Sequence, residues 1–393
     1  MRLCGNRHLA YCTNIHRGES WEQTFATLKN YTLRVRDRVA DSQPYAIGLR
    51  LGAAAAEELE RDENLEAFQE WLNEENCYVF TINGFPYGTF HGARVKEDVY
   101  LPDWTTPERL AYTQRLFRII SVLAPPAVGG SVSTVPGSYK AFIQSEEQEK
   151  AMRANLWRCV EYIEGLAAET GKALHLGLEP EPLCYLETSE ETVRFFDQLR
   201  ADRPNDTRIN DYLGVNYDTC HLAIEHEKPN EALGRFQAFG VKISKIHLSS
   251  ALRVSPTAES LRSLRDFCDP VYFHQVIGRQ HSGELLRIKD LDQALDQQSA
   301  ADLGLAEWLI HFHVPLHSQP SNLYGTTADH IQGLLDSLSN SPDELCSHFE
   351  METYTWEVLP SAIKNRDVVD QLVEEYRWTL AEFGKRGIGL EQG

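Results

Sequence analysis

No stretch of this sequence approaches 18 consecutive apolar residues, so none reads as a membrane span. The opening residues, Met-Arg-Leu-Cys-Gly-Asn-Arg-His, lack the apolar core of a secretory signal. The eight cysteines (4, 12, 77, 159, 184, 220, 268 and 346) form no Cys-x-x-Cys pair and read as reduced thiols of a cytoplasmic protein. Basic residues are scarce: 38 Lys plus Arg stand against 58 Asp plus Glu, a net charge of −20. That balance argues against broad nucleic-acid binding and against docking on an anionic membrane. It leaves open an anionic substrate held by a local Arg or Lys. What remains is an ordinary globular composition, 42% hydrophobic and 24% charged, over 393 residues.

The most informative stretch is 173–247. It holds three short apolar runs, each ending in a group that can bind a metal. Ala-Leu-His-Leu-Gly-Leu ends at Glu179, with Glu181 two residues on. Gly-Val-Asn-Tyr ends at Asp218, with His221 three residues later. Lys-Ile ends at His247. Helical segments at 188–203 and 227–240 separate the runs. Apolar runs of this length between helices read as buried parallel strands. Right-handed crossovers carry the ends of such strands to one edge, and in a closed eight-stranded barrel that edge is the active face. Glu179, Asp218 and His247 then converge from three consecutive strands. Two carboxylates and an imidazole suit Mn, Zn, Co, Fe or Mg better than a sulfur-seeking metal. The alternative is that each carboxylate only caps the next helix and the His is a satisfied core group.

The same alternation runs through the chain. Strands are expected at His8–His16, Tyr45–Leu51, Cys77–Asn83 and Gly130–Pro136, and helices at about Trp21–Val39, 54–75, Thr106–Leu123 and 144–169. The long segment after the third strand, 84–104, carries His91, Arg94 and Lys96 beside Phe85, Tyr87 and Trp104. It reads as a loop at the mouth of a pocket or as a packed surface loop. Residues 252–308 break the pattern. Val271–Ile277 and Glu284–Ile288 flank a polar turn and suggest a β-hairpin. The segment is too short and polar to bury its own core, so it is expected as an insertion at the active face of one domain spanning 1–393. His311, His313 and His317 alternate along an extended segment, which is either a loop before a helix at about Thr326–Leu338, giving eight strands, or itself a barrel strand, giving nine and displacing one of the earlier strands. His348–Thr355 is the eighth strand, with Glu350 and Glu352 on one face. A helix at about 363–384 closes a (β/α)₈ TIM barrel.

These residues carry a resemblance. Leu-Gly-Leu-Glu179, Asn-Tyr-Asp218-Thr-Cys-His221, Lys-Ile-His247-Leu-Ser-Ser and Met-Glu352-Thr resemble the metal-binding strand ends of the xylose isomerase-like barrels. That group includes sugar epimerases, sugar isomerases and metal-dependent apurinic endonucleases. The resemblance implies one divalent metal held by Glu179, Asp218, His247 and Glu352, with Glu179 and Glu352 as the catalytic proton-transfer pair. The endonucleases add a His three residues after the Asp, matched by His221, and an Asp-x-His pair. At that second place the chain has His311-Phe-His313. A narrower resemblance spans nearly the whole chain. Asn6–His16, Thr81–Gly88, His311–Leu316 and Glu352–Pro360 are similar to the metabolite traffic protein EboE family, found in gene clusters that move secondary metabolites.

The implied chemistry is polarisation of a hydroxy-carbonyl substrate by the metal, with a proton moved between carbon faces by the carboxylates. His221, His311, His313 and His91 are then candidate substrate-binding residues, and Glu181 or Glu357 candidate orienters. The expected partner is a small hydroxylated metabolite, processed or trafficked. Two other functions fit the sequence: a non-catalytic metabolite carrier, and a metal-dependent phosphoesterase or endonuclease.

Overall fold

The computed structural model describes residues 1–88, 96–268, 272–296, 304–341, 343–355 and 367–390. Eight strands build its centre. They are β1 (Arg7–Tyr11), β2 (Tyr45–Arg50), β3 (Cys77–Asn83), β4 (Gly130–Thr134), β5 (Leu174–Leu178), β6 (Leu213–Asp218), β7 (Lys242–Leu248) and β8 (His348–Met351). Every ladder from β2 round to β8 and on to β1 is parallel. Between β1 and β2 a single parallel bridge, Cys12 to Gly48, brings the sheet round on itself. The short strand Arg2–Leu3 pairs antiparallel outside β1. This is an α/β barrel with its helices on the outside.

The strands form because their apolar residues can be buried on both faces. Tyr45–Arg50, Leu174–Leu178 and Leu213–Asp218 are buried at every position, as parallel strands covered by helices require. The helices cover the outer face with one stripe each, as Leu65, Phe68 and Leu72 do in Asp62–Glu74. Two helices differ from the sequence expectation. Trp21–Val39 runs continuously but passes through a π-type turn at Leu28–Thr32. The stretch 54–75 divides into Ala53–Leu59 and Asp62–Glu74, where the Asn64 amide donates to the Glu58 carbonyl and stands in for the lost helical bond.

The insertion is larger than a hairpin. The hairpin exists, as Val276–Gln280 against Leu285–Ile288. It is one edge of a five-stranded antiparallel sheet whose middle strand is Leu305–His313, followed by Ala251–Val254 and Gly325–Thr326. His311 and His313 therefore lie on a strand, not in a loop, and that strand belongs to this second sheet rather than to the barrel. Val276, Trp308, Ile310 and Phe312 join the same apolar core as the barrel strands. Arg287 anchors the hairpin from the outside, reaching Glu187 at 3.2 Å and also Glu225. No helix among the described residues is long and apolar enough to cross a membrane. All eight cysteines are unpaired.

Candidate metal centre

Residues two apart on a strand face the same way. On β7 this turns Lys245 and His247 into the barrel, and on β6 Asn216 and Asp218. Glu179 and Glu352 follow β5 and β8 directly. Their N–H groups still donate to neighbouring strands, Glu179 to Thr134 (3.1 Å) and Glu352 to Leu248 (3.0 Å), so both side chains hold the strand's orientation.

Glu179, Asp218, His247 and Glu352 meet, each offering a ligand atom within 4.8 Å of the others. His247 Nδ1 lies 2.9 Å from Glu179 Oε1, 3.2 Å from Glu352 Oε2 and 3.5 Å from Asp218 Oδ2. All four residues are buried. Two of the three carboxylates are aimed from outside. Asp218 Oδ1 accepts from the His221 N–H (2.9 Å), capping helix Thr219–Ile224, and from Ser249 Oγ (2.7 Å). The capping role and the cluster thus use different oxygens of one side chain. Glu352 Oε1 accepts from the amides of Asn14 (2.7 Å) and Asn83 (3.1 Å), leaving Oε2 to the cluster. On its far side His247 Nε2 lies 2.9 Å from Glu350 Oε2, which also takes the Lys245 ammonium at 2.6 Å.

The residues fit a divalent cation. Glu179 Oε2 and Asp218 Oδ2 are buried with no hydrogen-bond partner. Three carboxylates crowded on one imidazole nitrogen repel one another unless positive charge sits among them. In the metal-free protein that charge falls to His247. Burial would lower its pKa, but Glu352 and Glu179 hold it well above the ordinary value. Burial would raise Asp218, but His221 and His247 hold it well below.

A second cluster adjoins the first. His221 Nδ1 faces the Pro180 carbonyl (3.0 Å), His311 Nδ1 the Gln275 Oε1 (2.7 Å) and His313 Nδ1 the Glu352 carbonyl (3.1 Å). The Gln275 amide nitrogen donates to the Pro182 carbonyl (3.3 Å), which turns its oxygen toward His311. Each Nδ1 therefore carries a proton. Burial would lower the pKa of His221, but Asp218 and Glu181 raise it, so His221 Nε2 also carries a proton and donates to the lone pair on His311 Nε2. His221 Nε2 and His311 Nε2 stand 3.1 Å apart, and His313 Nε2 has no hydrogen-bond partner. Burial and the neighbouring His221 and His313 push His311 well below the usual imidazole range.

Both clusters open on one pocket, edged by Glu179, Glu352, His221 and His311 and walled by Phe85, Tyr100, Phe273 and Tyr354. Glu181 lies at its rim, bonded by the Tyr100 hydroxyl (2.8 Å) and raised to about 7 by burial. Lys96 also lines it, its ammonium bound to Asp290 (2.5 Å) and the Tyr272 carbonyl (2.9 Å). Of the aromatics expected at the mouth, only Phe85 lines the pocket. Tyr87 packs on Tyr112, and Trp104 is fully buried with its Nε1–H on Thr134 Oγ1. His91, Arg94 and Glu357 lie outside the described residues. Sequence reasoning missed Asn14, Asn83, Lys245, Ser249 and Gln275. Lys245 left a signal, a charged residue inside an otherwise apolar run two positions before His247.

A family model described as a xylose isomerase-like TIM barrel matches residues 49–266. Among solved structures, the chain is similar to an L-ribulose 3-epimerase, at 10% identity and a TM-score of 0.51, with 98% of this chain and 96% of that one covered. It is equally similar to a protein from Anabaena variabilis described as a sugar phosphate isomerase/epimerase, at 13% identity and a TM-score of 0.51, with 97% and 99% covered. No curated protein matches the chain.

Proposed function

The chain belongs to the xylose isomerase-like TIM barrel family, and on that premise we propose that it is a divalent-metal-dependent isomerase or epimerase of a small hydroxylated carbonyl compound. One observation carries this reading. Glu179 and Glu352 come from strands three apart in the ring, face the same imidazole nitrogen, and both edge the pocket. Glu179, Asp218, His247 and Glu352 would hold the metal. When bound, it polarises the substrate's carbonyl oxygen as a Lewis acid.

The chain's own groups do the rest. One glutamate takes the proton from the carbon beside the carbonyl, and the C–H electron pair moves toward the carbonyl carbon. The other, protonated at the start, returns a proton to the opposite face for epimerisation, or to the former carbonyl carbon for isomerisation, in which case the hydroxyl proton also passes to the former carbonyl oxygen. Asn14 and Asn83 hold one Glu352 oxygen in place, so that carboxylate keeps its aim through the cycle. His221 and His311 are placed to bind substrate hydroxyls, and Phe85, Tyr100 and Tyr354 to exclude water. That the structural neighbours include sugar epimerases and isomerases supports the reaction class. The resemblance to the metabolite traffic protein EboE family supports a role in secondary-metabolite processing or trafficking, and Glu352 of the resembling stretch is one of the four cluster residues.

The test is solvent exchange. Metal-loaded protein is incubated in heavy water with a panel of ketoses and hydroxy-ketones. Deuterium at the carbon beside the carbonyl supports the reading. Product without label points to hydride transfer instead. Tight metal-dependent binding with no turnover and no exchange points to a carrier.

A further inference from the structure

Behind His247 the barrel buries an ion pair that the proton-transfer chemistry does not use. Glu350 pairs with His247 across the β8–β7 ladder, and Lys245 lies two residues before His247 on the same face. Glu350 Oε2 lies 2.9 Å from His247 Nε2 and 2.6 Å from Lys245 Nζ, and all three side chains are fully or almost fully buried. The fold makes room for this carboxylate. A Cβ placed on Gly48 of β2 would stand 2.0 Å from Glu350 Oε1 and 2.6 Å from the Tyr11 carbonyl. The ladder shifts register at that same glycine. Glu350 Oε1 has no hydrogen-bond partner, so the carboxylate is held through Oε2, where the Lys245 ammonium and the His247 ring meet. Such a buried pair is costly to assemble.

The imidazole has two nitrogens and two different surroundings. Nε2 meets an acceptor-only carboxylate, so it must carry a proton. Nδ1 meets Glu179 and Glu352, which hold a proton there in the metal-free protein, and the amide nitrogen of Asn216 at 3.1 Å. A cation among the carboxylates would take that proton's place and use the Nδ1 lone pair, whereas the single Glu350 carboxylate keeps its proton on Nε2. We propose that Glu350, neutralised by Lys245 and seated on Gly48, is the positioning residue that fixes His247 as its Nε2–H tautomer and so presents the Nδ1 lone pair to the metal. This rests on the metal reading above. Lys245 is the reason a fourth carboxylate near the cluster does not act as a fourth arm, since its charge is already matched. Partners of this kind typically change metal affinity by about 10–100-fold.

The test uses the full chain labelled with ¹⁵N-histidine and loaded with ¹¹³Cd, with His247 assigned by difference against His247→Gln. The expected result is cadmium coupling to Nδ1 of His247, with Nε2 protonated. Coupling to Nε2 overturns the proposal. Cadmium affinity is then compared, by chelator competition, in wild type, Glu350→Gln and the charge-balanced pair Lys245→Met with Glu350→Gln. The wild-type coupling needs no variant to fold, so the proposal stays testable if either variant fails. A loss of about 10–100-fold in both variants supports it. Wild-type affinity in the folded double variant overturns it and leaves the metal reading standing. Wild-type protein that binds no cadmium overturns both.

Discussion

Two clusters of ionisable side chains share the open end of the barrel, and they are built differently. The first is rich in oxygen and comes entirely from barrel strand ends: Glu179, Asp218, His247 and Glu352. The second is rich in nitrogen and is assembled from two sources. His221 stands on the first turn after β6, while His311 and His313 come from the middle strand of the inserted sheet. In the first, His247 directs Nδ1 inward and Nε2 outward to Glu350. In the second, all three imidazoles spend Nδ1 on an oxygen acceptor and turn Nε2 toward the site. Barrel strand ends give a fixed constellation of hard donors, suited to holding a cation. The insertion adds softer donors above it, suited to deciding what approaches.

Separate roles for the two clusters can be broken by substitution. The largest effect is expected at Asp218. Asp218→Asn should cost divalent-metal affinity by on the order of 100-fold or more, beyond the ~10–100-fold typical of outer partners. Equilibrium dialysis with elemental analysis reads this. Asp218→Asn with unchanged occupancy would remove the oxygen-rich cluster from metal binding.

The nitrogen-rich cluster should answer differently. His311→Ala should leave metal occupancy of the first cluster near wild type, yet weaken substrate binding or kcat/KM by about 10–100-fold, the worth of one or two lost buried hydrogen bonds. Calorimetry and steady-state rates separate the two quantities. Equal losses of metal and substrate would merge the clusters into one.

A third variant probes the buttress between barrel wall and cluster. Gly48→Ala forces a methyl group against Glu350 and the Tyr11 carbonyl, and should cost about 1–3 kcal/mol of stability by overpacking. Urea unfolding measures it.

A fourth effect, seen only as a change with pH, concerns the seam between the two regions. Glu375, on helix Val368–Gly384, accepts from the Leu316 N–H (3.0 Å), just past the inserted strand, and from Thr353 Oγ1 (2.7 Å), just past β8. Burial raises its carboxyl to about 7. An acid raised on folding contributes stability that is fully present below its unfolded pKa, near 4.5, and lost as pH rises through 7. Glu375→Gln should therefore flatten stability between about pH 4.5 and 7, with a difference at pH 8 of about 1–3 kcal/mol. Thermal unfolding across that range would show the same slope in both proteins if Glu375 is uninvolved.

The two regions were also unequally legible in the sequence. Barrel strands such as Cys77–Asn83 stand out because a run buried on both faces must be continuously apolar, and the polar residue ending it marks the active edge. Strand β1 stops at Tyr11, short of the expected His16, because Thr13–Ile15 turns into a short 3₁₀ segment that delivers Asn14 to Glu352. The middle inserted strand, Leu305–His313, was half hidden. Its partners lie about 30 to 60 residues away, and no local pattern announces a pairing with Val276–Gln280 or Ala251–Val254. Glu350 and Glu352 share a face in the sequence pattern, yet Glu350 meets Lys245 and the outer nitrogen of His247, while Glu352 meets its inner nitrogen. Alternation fixes the side of a strand, but only depth in the barrel separates those roles.

The central claim is that Glu179, Asp218, His247 and Glu352 hold one divalent cation at the mouth of the barrel. The most direct measurement is a crystal structure of protein purified without chelator and soaked in Mn²⁺, with anomalous data collected above the manganese edge. The account predicts a peak within about 2.0–2.3 Å of His247 Nδ1 and of an oxygen from each of Glu179, Asp218 and Glu352. Density for manganese elsewhere only, or Glu179 and Glu352 held apart with no peak between them, would contradict it.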